Sequence, residues 1–161
     1  MPNQLMIEIA GLKLPNPTML AAGILGLTGA SLHEAADKGA GAVVTKSVGL
    51  QPRKGYLNPT VVQVSCGLLN AIGLPNPGAL NFADEIKELK QSGINVPVIA
   101  SVFGFSTQEF AKAAKIMIEA GADAIELNVS CPHVEKTGLE IGQHPNLIAE
   151  VVREVKGAIN K

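Results

Sequence analysis

Apolar residues fall into short continuous runs, separated by stretches whose apolar positions recur at helical spacing. The opening run, MIEIAGLKL, turns at Ala10-Gly11 and predicts a short β-hairpin, a flap ahead of the main fold. Residues 18–22 (TMLAA) predict a first core strand ended by Gly23. A short helix over 32–38 follows, with Ser31 as its N-cap and Gly39 closing it. Residues 42–45 (AVVT) predict a second core strand that ends in Lys46 and Ser47. The segment 48–77 is rich in Gly, Pro and Asn, with an extended piece at 60–64 and the turn-forming string NAIGLPNPG. An ordered loop of that length inside a compact domain is usually functional.

Residues 79–92 have helical spacing through Leu80, Ile86 and Leu89. A third core strand is predicted over 96–102, a helix over 107–120 closed by Gly121, and a fourth strand over 122–129. The last helix spans 145–159, with a buried stripe of Leu147, Ile148, Val151, Val152 and Val155. The order βαβαβαβα argues an α/β fold with a parallel sheet, and the unbroken apolar strands imply cover on both faces. Polar and reactive side chains recur at the C-terminal strand ends, where (β/α)8 barrels build their sites. Four βα units are half of such a barrel, whose usual size is about 250 residues. The 161 residues are therefore read as a single domain, 1–161, forming an incomplete barrel of TIM type. An open four-stranded sheet and a truncated product are the alternatives. An incomplete sheet would close by self-association or with another chain.

Charge and composition narrow the partners. A formal net charge of −1 without like-charge blocks gives no electrostatic reason to expect nucleic acid or an anionic membrane. One Tyr, four Phe and no Trp leave few platforms for stacking bases. No apolar run approaches the roughly 20 residues of a membrane span. The first residues lack a signal peptide's charged and apolar regions, so a reducing cytoplasm is expected.

Two cysteines form neither a disulfide framework nor a metal pattern. His33, His133 and His144 share no ligand spacing, so no metal site is expected. Cys131 stands just beyond the fourth strand, and Pro132 forbids that strand to continue. A lone cysteine is as often a small buried hydrophobe, but a thiol with an ordinary pKa of about 8.5 is easily tuned for proton transfer. Cys66, in an extended stretch, is read as structural. Asn128 places an amide at the strand mouth, where a polar ligand is its natural partner. Lys46 ends a core strand and points to the barrel mouth, as a cation facing an anionic ligand or electron-rich ring, or as a Schiff-base amine. The glycines of AAGILG let a ligand approach the backbone.

In order along the chain, IEIAGLKLPNP, AAGILG, VVTKSVGLQPR, LNAIGLPNPG, ELNVSCPH and EIGQHPNL resemble the N-terminal half of the dihydroorotate dehydrogenase family, class 1B branch. The combination of TKS, NAIGLPN and NVSCP is specific. The resemblance implies a (β/α)8 barrel holding FMN at its mouth and oxidising dihydroorotate to orotate in pyrimidine biosynthesis. It implies Cys131 as the base that takes the C5 proton from a loop closing over substrate, with Lys46 beside flavin and substrate. It further implies Ala22, Gly23, Lys46, Ser47, Ser101 and Asn128 at the cofactor, and Lys46, Asn70, Ile72, Gly73, Leu74 and Asn128 at the substrate. Many relatives have Asn where this chain has Ser101, and CPN where it has CPH at His133. The family's second flavin lysine and its phosphate-binding loops belong to strands five to eight, beyond these 161 residues. The chain alone is thus expected to bind FMN weakly and turn over poorly. Class 1B enzymes also work with a subunit carrying FAD and an iron–sulfur cluster. Two other classes remain open: a lyase or aldolase with Lys46 as Schiff base, and a non-catalytic half-barrel that self-associates through its edges.

Overall fold

The computed structural model describes residues 5–131 and 139–159. The predicted hairpin is present: β1 (Ile7–Ile9) pairs antiparallel with β2 (Leu12–Leu14), Ile7 opposite Leu14. Its turn sets φ at 48° for Ala10 and 78° for Gly11, the double positive φ that matches the strand twist in two-residue hairpins.

Four parallel strands form the main sheet: β3 (Met19–Leu20), β4 (Ala42–Val44), β7 (Val98–Val102) and β8 (Ala124–Leu127). They lie side by side in chain order, with Met19 opposite Ala42, Val43 opposite Val98 and Ile99 opposite Ala124. Between them run α1 (Gly29–Asp37), α2 (Ala79–Gln91) and α3 (Thr107–Glu119); α4 (Leu139–Gly142) and α5 (Pro145–Ile159) follow β8. These are the first four βα units of a (β/α)8-type barrel.

Alternation along β7 sorts the two faces. Ala100 and Val102 are fully buried in a core with Phe82, Ile86, Phe110, Met117, Val151 and Val155, while Val98 is buried in a second cluster with Leu32, Val43, Leu89 and Val96. Ser101 points to the opposite face, and in register with it Glu126 on β8 is exposed. Cover on both faces, as the apolar runs suggest, therefore does not extend to the sheet's margins: Met19 on β3 is 44% exposed. The described helices pack on one face only, and an edge strand has a neighbour on one side.

Several boundaries move for identifiable reasons. The N-cap of α1 is Thr28, whose hydroxyl accepts from the Ser31 N–H, while the Ser31 hydroxyl answers the Thr28 N–H in a capping box. Ser31 is thus the third helical residue and not the cap. Thr28→Ala is expected to cost about 1 kcal/mol, read from the denaturant midpoint; an unmoved midpoint would show the cap to be dispensable. In α2 the buried stripe is Ala79, Phe82, Ala83, Ile86 and Leu89, and Leu80 faces solvent. In α5 only Val151 and Val155 are fully buried; Leu147 and Val152 lie at the rim. The extended piece after residue 60 is one arm of a second hairpin, β5 (Val61–Val64) against β6 (Gly67–Asn70). Cys66 sits in its turn, exposed, so it is not the buried structural thiol expected.

Candidate active site

Lys46 is held by backbone. Its N–H donates to the Gly26 carbonyl at 2.7 Å, and its own carbonyl accepts from the buried Thr45 hydroxyl at 2.9 Å. Gly26 must be glycine for this approach, because a Cβ there would lie 2.6 Å from the Lys46 nitrogen. Thr45 also accepts from the Ser101 N–H at 3.0 Å, which ties the end of β4 to β7.

Beside Lys46 a chain of hydroxyls and an amide crosses the strand ends. Asn128 Nδ2 donates to Ser47 Oγ at 2.9 Å, and Ser47 Oγ shares a hydrogen bond with Ser101 Oγ, also at 2.9 Å. Asn128 Oδ1 accepts from the Ser130 N–H at 3.2 Å, which directs the chain on toward Cys131. Ser47 and Ser101 are buried, so the pair is shielded from water. Ser47→Ala strands the Asn128 amide and the Ser101 hydroxyl together. It is expected to lower stability by about 1–3 kcal/mol in chemical denaturation, and an unchanged midpoint would mean that water replaces the hydroxyl.

Above these groups opens a cleft of about 520 Å³. Residues 20–25, Asn70 and residues 72–74 line it together with Lys46 and Cys131. A neighbouring cavity of about 420 Å³ shares Ile24, Lys46 and Ile72 with it and adds Arg53, Thr60 and Asn76. Neither lining includes an Asp or Glu. Burial holds the Lys46 ammonium below the usual lysine range, and the nearby Cys131 charge partly restores it. A third cavity, about 460 Å³ between residues 105–107 and α5, contains neither Lys46 nor Cys131.

Of the residues singled out in the sequence, Ala22, Gly23, Lys46, Asn70, Ile72, Gly73, Leu74 and Cys131 line the one cleft. Ser47, Ser101 and Asn128 form the hydrogen-bonded chain beside it. Cys131 is half-buried against the helix-side core as well as lining the cleft, so its two readings are not exclusive. Pro132, His133 and the loop predicted to close over substrate lie outside the described residues. Arg53 and Asn76 lie within stretches that carry the resemblance, VVTKSVGLQPR and LNAIGLPNPG, but neither is assigned a role by the sequence. The signal for Asn76 was its place between Pro75 and Pro77, which have no N–H, so a side chain must supply the donors of that turn.

Among the described residues no group of three His, Cys, Asp or Glu side chains is placed to hold a metal ion. Nor is any described helix long and apolar enough to cross a membrane.

A parallel sheet flanked by helices, with a cleft at the strands' C-terminal ends, defines an α/β protein of barrel type, a fold that builds its ligand sites at that edge. The family model for dihydroorotate dehydrogenase matches residues 4–161, and the chain belongs to that family. It is 51% identical over 157 residues to the catalytic subunit of dihydroorotate dehydrogenase B (NAD(+)) from Methanosarcina mazei, covering 97% of this chain and 50% of that protein. The proteins of the same name from Pyrococcus furiosus and Methanocaldococcus jannaschii are 49% and 46% identical, each over 96% of this chain and about half of their own length. The chain thus spans about half the length of the curated relatives it matches.

Proposed function

We propose that residues 1–161 supply the dihydroorotate-binding and proton-removing side of an FMN-dependent dihydroorotate dehydrogenase, within a single barrel domain. The observation that supports this best is the convergence of Lys46, Cys131 and the 70–74 loop on one cleft free of carboxylates. The site suits FMN in its chemistry. Ala21, Ala22 and Gly23 offer a floor of small residues, a Cβ at Gly23 would meet nothing within 4 Å, and Lys46 brings a cation beside an electron-rich ring. Bound FMN supplies the acceptor for the hydride that leaves C6 of dihydroorotate.

The chain's own residues do the rest. Cys131, as thiolate, takes the proton from C5 of dihydroorotate onto its sulfur. Asn70 and the backbone of 72–74 bind the pyrimidine and its carboxylate. Lys46 balances charge between ligand and cofactor, and Asn128, fixed by Ser47, orients the substrate. Ser47 and Ser101, linked by their hydroxyls, form the buried support behind the ring. The relatives' names, a catalytic subunit of an NAD(+)-dependent enzyme, support a partner that passes electrons onward, one with FAD and an iron–sulfur cluster. A cytoplasmic location fits this soluble substrate.

The competing reading makes Lys46 a Schiff-base nucleophile. It fits less well, because Lys46 shares its cleft with a thiol and with no carboxylate to shuttle protons. The two are separated by supplying FMN and dihydroorotate to the whole polypeptide that carries these residues. Orotate formation, with no borohydride-trapped label on Lys46, is expected. A labelled Lys46 with carbonyl substrates and no orotate would reverse the choice.

A further inference from the structure

Val43, Thr45 and Val48 donate their N–H groups to the carbonyls of Pro97, Ile99 and Ser101, at 3.0, 2.9 and 2.9 Å. The acceptors are evenly spaced along β7 and its approach, but the donors are not. Val44 pairs with Ile99 and Val48 with Val102, so Thr45, Lys46 and Ser47 stand opposite only Ala100 and Ser101. The chain leaving β4 therefore carries one extra residue, a β-bulge.

The bulge changes where side chains point. Along a regular strand they alternate between faces, so Val43 and Val48 would lie on opposite sides of the sheet. Both instead pack into the helix-side core, Val43 with Leu32 and Leu89, Val48 in the cluster of Phe82 and Phe110. Alternation is lost at Lys46 and Ser47. Lys46 lines the cleft, and Ser47 Oγ meets Ser101 Oγ and Asn128 Nδ2 on the same face. Two neighbours in sequence thus both face the mouth.

Thr45 closes the gap that the extra residue opens. In a regular parallel ladder the Ser101 N–H would bond the Thr45 carbonyl. Here the Thr45 hydroxyl accepts that hydrogen bond at 3.0 Å and donates its own hydrogen to the Lys46 carbonyl at 2.9 Å. Thr45 is fully buried, so both groups would lose their partner with the hydroxyl. On the other flank the Lys46 N–H is held by the Gly26 carbonyl at 2.7 Å.

We infer that Thr45 is a positioning residue: its hydroxyl holds the bulge that sets Lys46 and Ser47 side by side against the flavin. Thr45 itself lines neither cavity that Lys46 lines. This inference rests on the FMN-dependent reading and names the residue that aligns its cofactor side.

The test titrates the whole polypeptide with FMN, followed by flavin fluorescence, and then measures flavin reduction by dihydroorotate. Thr45→Val keeps the shape and loses the hydroxyl. It is expected to weaken FMN binding about 10-fold and to slow reduction about 10- to 100-fold, as misplaced site groups do. Thr45→Ser, which keeps the hydroxyl, should stay within about threefold of wild type in both. Adding Thr45→Val to Lys46→Met should slow reduction by no more than about a further threefold, because groups that act as a unit are not additive. Lys90→Met breaks the ion pair with Asp123 at the opposite end of β7 and should leave FMN affinity unchanged. If Thr45→Val does not fold, Thr45→Cys takes its place: a thiol hydrogen-bonds weakly, so FMN should bind it at least about threefold less tightly than Thr45→Ser. Wild-type FMN affinity in Thr45→Val, or in Thr45→Cys where it is used, would overturn the role of Thr45. So would a loss that serine does not recover, an equal loss in Lys90→Met, or a fully additive double variant. Wild-type protein that takes up no FMN would remove the FMN reading, and this inference with it. Bound flavin that dihydroorotate leaves oxidised in wild type would remove the dihydroorotate reading alone, and the FMN titration would still decide the role of Thr45.

Discussion

Cys131→Ala is expected to lower the rate of flavin reduction by dihydroorotate about a thousandfold, while leaving orotate affinity within a few-fold of wild type. The size follows from general-base catalysis, where a positioned proton acceptor contributes roughly 10²–10⁴. Loss should appear in kcat more than in KM, because the thiol acts on a proton that only leaves in the transition state. Cys131 is half-buried against the core, so removing its sulfur leaves a small gap and takes from the Lys46 ammonium the neighbour that favours its charge. The fold should survive, as near-wild-type orotate affinity would show. If Cys131→Ala reduced flavin at the wild-type rate, the thiol would be a packing residue and another group the base.

Lys46→Met should lower flavin reduction by at least about a hundredfold, the usual consequence of deleting one preorganised charge at a reacting centre. Its effect on stability runs the other way. Burial holds Lys46 below the ordinary lysine range, so the folded state binds this proton more weakly than the unfolded chain does. The penalty is fully present below the folded pKa and fades as pH rises toward the unfolded value of about 10.4. The methionine variant is therefore expected to be the more stable protein at pH 7, with the difference shrinking toward pH 10. Denaturant midpoints of both proteins across that range decide it. A variant less stable at neutral pH, or a difference independent of pH, would show that the ammonium is not penalised.

Much of this architecture was legible because it depends on local chemistry. The core runs around residues 42–44 and 98–102 are strands because β-branched and small apolar side chains fit the buried central strands of a parallel sheet. The Ala10-Gly11 turn was legible because a two-residue hairpin asks for positive φ. What escaped depends on pairing at a distance. The β5–β6 hairpin exposes nearly every side chain, so neither arm shows the alternation of a half-buried strand. Thr28 was overlooked because its capping box closes with Ser31 where Glu or Gln is usual, and Ser31 itself looks like a cap.

The candidate site divides in the same way. Lys46, Asn128 and Cys131 announce themselves by ending strands, and the resemblance of TKS, NAIGLPN and NVSCP identifies the family from which their roles are proposed. Their meeting in one cleft, with Asn70 and residues 72–74, is a property of the fold. Arg53 lies at the end of VVTKSVGLQPR, which gives it no role; its 2.7 Å bond to the Gly73 carbonyl, twenty positions away, is a property of the fold. Ser101 shows how a shorter side chain can still serve, since it reaches Ser47 and through it Asn128 without extending into the cleft.

The central claim is that this cleft brings dihydroorotate, a base and FMN together. It is tested most directly by mixing the FMN-loaded whole polypeptide with dihydroorotate in the absence of oxygen and recording the oxidised-flavin band. Bleaching with one orotate formed per flavin, slowed about a thousandfold in Cys131→Ala, is the predicted result. A band that persists in wild-type protein with FMN demonstrably bound would contradict it.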